Sequence, residues 1–214
     1  MAYFIFFVFI LFTIIIHELA HLIVALFCKV KVDAFCVGFF KPYLHKEWKK
    51  IDWRITPFLI GGYCALHGEN EKVPNGFLIQ PYRKKLVIAL AGTFANLMIA
   101  IICYLINYQN IFVGFYLDWV AIQSVFTNNY DEIIQLRLFF NSNLFLFQLS
   151  MINLFCFISN LLPIPSLDGG FIWLPWMEYI WKENYVKYLN RLTKIFFILL
   201  MVVQAIFILW MWIK

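Results

Sequence analysis

The sequence predicts an all-α polytopic membrane protein, with about four transmembrane helices and a small membrane-associated β-hairpin in the first cytoplasmic loop. Three observations carry this. Hydrophobic side chains make up 64% of the 214 residues and charged ones only 14%, whereas a soluble domain carries about 25% charged residues. Four apolar runs, at about 2–28, 86–106, 144–162 and 195–213, have the roughly 20 residues that crossing a bilayer takes. The basic residues cluster in two of the three loops between those runs.

The first run precedes every Lys and Arg in the chain. A cleaved signal peptide begins with a positive region, so this run is expected to stay as a span. Eleven of the 17 Lys and Arg fall in the first loop, four in the third, and only Arg137 in the second. The positive-inside rule then sets loops one and three in the cytoplasm and both termini outside. Residues 112–126 are apolar but short and interrupted by Asp118, which suits an interfacial or re-entrant helix better than a fifth span.

The mean hydropathy of +0.80 and the 21% aromatic content exclude disorder. The net charge of +5 flanks apolar stretches and does not stripe a polar face, so no nucleic-acid partner is expected. The lipid bilayer is the expected partner. Five cysteines, none spaced as C-x-x-C, read as buried thiols and not as a disulfide framework or thiolate zinc cluster.

Chemistry concentrates in the first run, which reads His17-Glu18-Leu19-Ala20-His21. Residues i and i+4 share a helix face, so both imidazoles can reach one metal ion, and Glu18 lies near enough to hold a water on it. Ionisable groups at membrane depth are costly and mark function by default. A catalytic zinc takes three protein ligands and keeps a fourth position for water, so one ligand must come from elsewhere. His45, His67, Asp168 and Glu178 are the candidates. Asp168 is favoured because it follows the third span on the cytoplasmic side, and His17 lies about 24 Å along a helix from Met1, at 1.5 Å per residue, toward the same side. His45 and His67 read more simply as surface loop histidines, and Glu178 as a snorkelling interfacial acid.

Asp168 is approached through Asn160-Leu161-Leu162-Pro163-Ile164-Pro165-Ser166-Leu167 and followed by Gly169-Gly170. Two prolines break the helix, and irregular backbone at membrane depth is tolerated only beside protein or a water-filled cavity. The double glycine lets backbone approach a ligand closely. Asn96, Asn153 and Asn160 are amides in apolar spans. Asn153 suits an interhelical hydrogen bond, Asn160 a contact to substrate backbone or a tetrahedral intermediate, and Gly92 close helix packing.

The His17 to His21 motif in a first span, together with the Asn160 to Gly170 run, closely resembles the site-2 protease family of intramembrane zinc metalloproteases. Gly61-Gly62-Tyr63, after the extended stretch 51–60, resembles that family's membrane-associated β-hairpin element. Ala91-Gly92-Thr93-Phe94-Ala95-Asn96 resembles its A-G-P-x-x-N motif, with Thr93 where the family commonly has Pro. The resemblance covers residues 1–175 and implies one zinc ion held by His17, His21 and Asp168, with Glu18 as the catalytic base. It also implies regulated intramembrane proteolysis of single-span membrane substrates in a bacterial cell membrane, the active site facing the cytoplasm. Asn160, Asn96, Gly61 and Gly62 are the expected substrate-binding residues. The whole chain reads as one protease domain, with no room for a PDZ domain between spans two and three. The alternative is a catalytically silent zinc-binding scaffold or transport component, against which Glu18 argues, since a binding-only site has no use for it.

Overall fold

In a computed structural model describing residues 2–59, 61–165 and 167–213, the chain is a helical bundle with a small sheet set against one end of its first helix. Helix α1 (Ala2–Phe27) leads into strands β1 (Val32–Val37), β2 (Leu44–Trp48), β3 (Ile51–Ile55) and β4 (Gly62–Leu66). Helices α2 (Tyr82–Tyr108), α3 (Ile111–Thr127), α4 (Asp131–Phe139) and α5 (Leu144–Leu161) follow. Then come the short α6 (Asp168–Ile172) and α7 (Leu174–Trp181), a 3-10 turn (Lys182–Asn184) and α8 (Tyr185–Ile213).

Phe4–Phe27, Tyr82–Tyr108 and Leu144–Leu161 are long and apolar enough to cross a membrane, and they carry the first three expected spans. The fourth, 195–213, forms the C-terminal part of α8, and most of its side chains lie outside the described residues. Phe12, Val87, Phe94, Met98, Ile102, Ile106, Phe155 and Ile158 all point out of the bundle exposed. An apolar exterior of this extent suits lipid and not water.

Where the chain turns, polar residues supply the reason. Asn110 and Asn143 cap α3 and α5, their side-chain oxygens accepting from Phe112 and Val113 N–H and from Phe145 and Leu146 N–H. Gln109 and Asn128 close α2 and α3 in the left-handed conformation. The segment 112–126 is thus a full helix, α3, packed on α2. Its Asp118 is buried, where Tyr104 Oη donates to Oδ2 at 2.6 Å and Ser150 Oγ to Oδ1 at 3.4 Å. Deeper in the bundle, Asn153 donates to Thr13 Oγ1 at 3.0 Å, the interhelical bond its placement suggested.

The sheet corrects the expected hairpin. Its order is β2-β3-β1-β4, so β3 and β4, which flank Gly61, do not pair with each other. They bracket β1, to which β3 is parallel and β4 antiparallel. The local hairpin is β2–β3, one element earlier. A short loop between two extended stretches favours their direct pairing, but the buried Val32, Ala34, Phe35 and Cys36 of β1 take the central place because they have the most apolar surface to cover. The main core joins that strand to Leu22 and Ala25 of α1, Phe77, Ile88 of α2, Leu174 of α7 and Tyr185 of α8.

A candidate metal centre between three helices

His17 and His21 lie one turn apart on α1, both less than 10% exposed, and Asp168 opens α6 immediately after the broken segment. Nε2 of His17 is 3.2 Å from Nε2 of His21 and 3.2 Å from Asp168 Oδ2, and Nε2 of His21 is 3.1 Å from Asp168 Oδ1. Ligand atoms 2.0–2.1 Å from a tetrahedral zinc lie roughly 3.3 Å apart. The three side chains therefore present donors at the separations one zinc ion requires, and they form a candidate metal-holding group.

Helix α2 holds all three. His21 Nδ1 donates to the Ile88 carbonyl at 2.7 Å, which leaves Nε2 unprotonated and facing the cluster. Thr93 Oγ1 donates to Asp168 Oδ2 at 3.0 Å. The Asn96 amide meets His17 Nδ1 at 3.1 Å through its nitrogen, while its buried Oδ1 has no partner. The nitrogen and oxygen of an amide exchange places on a half-turn. The rotated form lets Oδ1 accept from His17 Nδ1–H and frees Nε2 for a metal, the amide nitrogen then taking the unpartnered position. Gly92 completes the face: a Cβ there would strike His21 Nε2 and come within 2.7 Å of Cε1 and Nε2 of His17. The absence of a side chain leaves the space an ion would take.

Glu18 lies beside this cluster on the wall of a cavity of about 190 Å³, which His21, Asp168, Gly62, Tyr63, Cys64 and Glu69 also line. Strand β4 is one edge of the sheet, so among the described residues one side of it has no strand partner. On that side the Cys64 backbone hydrogen-bonds Glu18 and Leu66 N–H donates to Glu69 Oε2 at 3.2 Å. Residues 62, 64 and 66 thus turn their main-chain groups toward the cavity, while 61 and 67 bond back to Gly38 and Lys31. Burial pushes the Glu69 carboxyl up to about 7.

The expected residues separate on this geometry. Gly62 lines the cavity, where a Cβ would come 3.3 Å from Glu18 Cγ. Gly61, with φ +104°, packs under Phe39 and serves the turn. Asn96, expected at the substrate, is buried behind His17, and Asn160 sits half-buried in the last turn of α5 outside the cavity wall. His45 and His67 pair with Asp52 and Asp33 on the sheet, and Glu178 faces Lys85 at 3.8 Å; none joins the cluster. Gly169 and Gly170 admit the chain's own backbone and not a ligand: Cβ atoms there would strike Leu162 O and come 2.7 Å from Pro165 Cα. Sequence reasoning missed the roles of Gly92, Thr93 and Glu69. The first two were signalled by lying four and three residues before Asn96, on the same face of α2; Glu69 carried no signal.

Apolar helices around a His-His-Asp group, its two histidines buried, define a membrane protein with a candidate metal centre. Residues 5–203 match Peptidase family M50, the site-2 protease family, and the chain belongs to it. It is 35% identical over 102 residues to a candidate zinc metalloprotease of Campylobacter jejuni, covering 44% of this chain and 28% of that protein. It is also 34% identical over 106 residues to one of Neisseria meningitidis, covering 47% and 24%. The aligned part thus spans about a quarter of the length of these relatives.

Proposed function

We propose that this chain is a zinc-dependent intramembrane endopeptidase that cuts single-span membrane proteins within or near their transmembrane helix. The observation that carries the reading is the His17-His21-Asp168 cluster opening, beside Glu18, onto the cavity bordered by the free edge of β4. His17, His21 and Asp168 would hold one zinc ion, which when bound polarises the attacking water and the scissile carbonyl. Glu18 takes the proton of that water as it adds to the carbonyl carbon, and delivers a proton to the amine as the C–N bond breaks. The family and the names of its relatives support this activity. The test is zinc content of the purified protein together with cleavage of a reporter carrying a transmembrane segment, lost on chelation and restored by zinc. A zinc-loaded protein that cuts no such reporter would favour the silent scaffold.

A helical substrate must unwind before its carbonyl can be attacked, and an unwound segment leaves main-chain groups unpaired. The free edge of β4 offers the matching partners by strand addition. Proline at Gly62 removes a donor facing the cavity and is expected to lower cleavage about fivefold, the worth of one hydrogen bond of about 1 kcal/mol, with zinc content unchanged; proline at Cys64 also removes the backbone partner of Glu18 and is expected to cost more. Proline at Tyr63 or Ala65 removes a bond to β1 and should instead reduce folded yield. Equal tolerance at all four positions would place the substrate elsewhere.

The charge bias supports loops one and three, and with them the cavity, on the cytoplasmic side of a bacterial membrane. Reporters fused at Met1 and Lys214 are expected outside, and insertions near Lys49 and Glu183 inside. Reporter activity for the Lys49 insertion on the outer face would invert the topology.

A further inference from the structure

We infer that Thr93 is a positioning residue for the metal centre, fixing which oxygen of Asp168 serves as ligand; this rests on the reading that the cluster holds zinc. Thr93 is fully buried on α2. A helical threonine ordinarily turns its hydroxyl back to the carbonyl one turn earlier on its own helix. Here the hydroxyl leaves its helix and donates to Asp168 Oδ2 across to α6. Such a bond to a carboxylate is charge-assisted, though at 3.0 Å it stands at the long end of the range for a hydroxyl donor.

Its geometric effect follows from the other contacts of the same carboxylate. Oδ1 lies 3.1 Å from His21 Nε2, and Oδ2 lies 3.2 Å from His17 Nε2. Either oxygen is near enough to serve, and a free carboxylate can rotate between them or use both. The Thr93 proton occupies a lone pair of Oδ2, which leaves Oδ1 the more electron-rich oxygen and holds the carboxylate plane in one orientation. Asp168 needs this hold more than the histidines do. His17 and His21 share the long helix α1, whereas Asp168 begins a five-residue helix that follows two prolines. The broken segment is itself tied down by Thr193 Oγ1 donating to the Pro165 carbonyl at 3.0 Å, but that tie leaves the aspartate side chain free to turn. Proline at position 93 offers no such donor, so the contact is a property of this sequence and not of the motif it resembles. With Ile88 on His21 and Asn96 on His17, Thr93 brings every member of the cluster under the control of α2.

The experiment compares zinc affinity of the detergent-solubilised full chain, by competition with a chromophoric chelator, for wild type, Thr93→Val and Thr93→Ser. Valine keeps the volume and branching of threonine and loses only the donor, so packing is held constant. Thr93→Val is expected to bind zinc about 10–100-fold more weakly, the usual cost of losing a group that orients a ligand, while Thr93→Ser stays within a few-fold of wild type. Melting temperatures of the metal-free proteins report whether Val disturbs the fold; with those unchanged, a drop confined to Val assigns the effect to the hydroxyl. Equal affinity of Val and wild type overturns the inference and leaves the metal site standing. So does a Ser variant as weak as Val, which would make the methyl group the operative part. A wild type that takes up no zinc overturns the metal site itself and this inference with it.

Discussion

Glu18→Gln is expected to lower turnover by about 10²–10⁴-fold, the range general acid–base catalysis contributes, while zinc stoichiometry and substrate KM stay near wild type. Glutamine keeps the size of the side chain and an oxygen that can still accept from the Cys64 backbone. It cannot take a proton from water and return it to the leaving amine. The His17, His21 and Asp168 donors are untouched, so metal content should not follow activity down. This separation distinguishes Glu18 from the cluster residues: Asp168→Ala removes a candidate ligand and should lose zinc and activity together. Turnover of the Gln variant within tenfold of wild type would show that the proton travels by another group, and Glu69, whose carboxyl lines the same cavity, would be the first to examine.

What could be read from the sequence divides along the range of the interactions involved. His17 and His21 were legible because helical period alone brings i and i+4 together. Asp168 was legible because topology constrains which end of a span it follows, and the structure does bring it to the two histidines. The sheet was not legible at the level of pairing. The extended stretch 51–60 and Gly61-Gly62-Tyr63 announced a hairpin, but β1 lies between β3 and β4, and its claim to the centre rests on packing against α1 that no local pattern encodes. Gly92 illustrates a different limit. As a small residue in an apolar helix it reads as a packing position, and it is one, except that the surface packed against it consists of two imidazoles. Asn96 was expected at the substrate, and the structure sets it against His17: a polar group at membrane depth signals function, but the signal does not say whether the amide meets the substrate or a side chain that does. Glu69 depends on a tight turn returning its carboxylate to Leu66 N–H, a contact spaced by three residues in a loop with no periodicity to expose it.

Gly92→Ala provides the sharpest separation of fold from site, because two physical effects predict opposite signs. In a helix interior, alanine is favoured over glycine by about 1 kcal/mol, so the substitution on its own should make α2 more stable. The same methyl group would strike His21 Nε2 and come within 2.7 Å of the His17 ring, closer than real Cβ contacts occur. Neither ring yields easily: His21 is tied through Nδ1 to the Ile88 carbonyl at 2.7 Å and His17 through Nδ1 to Asn96. Moving either ring breaks a buried hydrogen bond and turns its Nε2 off the cluster. The metal-free Ala variant is therefore expected to fold with a melting temperature at or near the wild-type value, and to bind zinc more weakly than the Thr93→Val variant does, since it disturbs two donors and not the partner of one. Cleavage should disappear with the metal and not return at zinc concentrations that saturate wild type. Should the Ala variant bind zinc with wild-type affinity, the histidines have room to retreat, and the ion sits farther from α2 than the face formed by Ile88, Gly92, Thr93 and Asn96 implies.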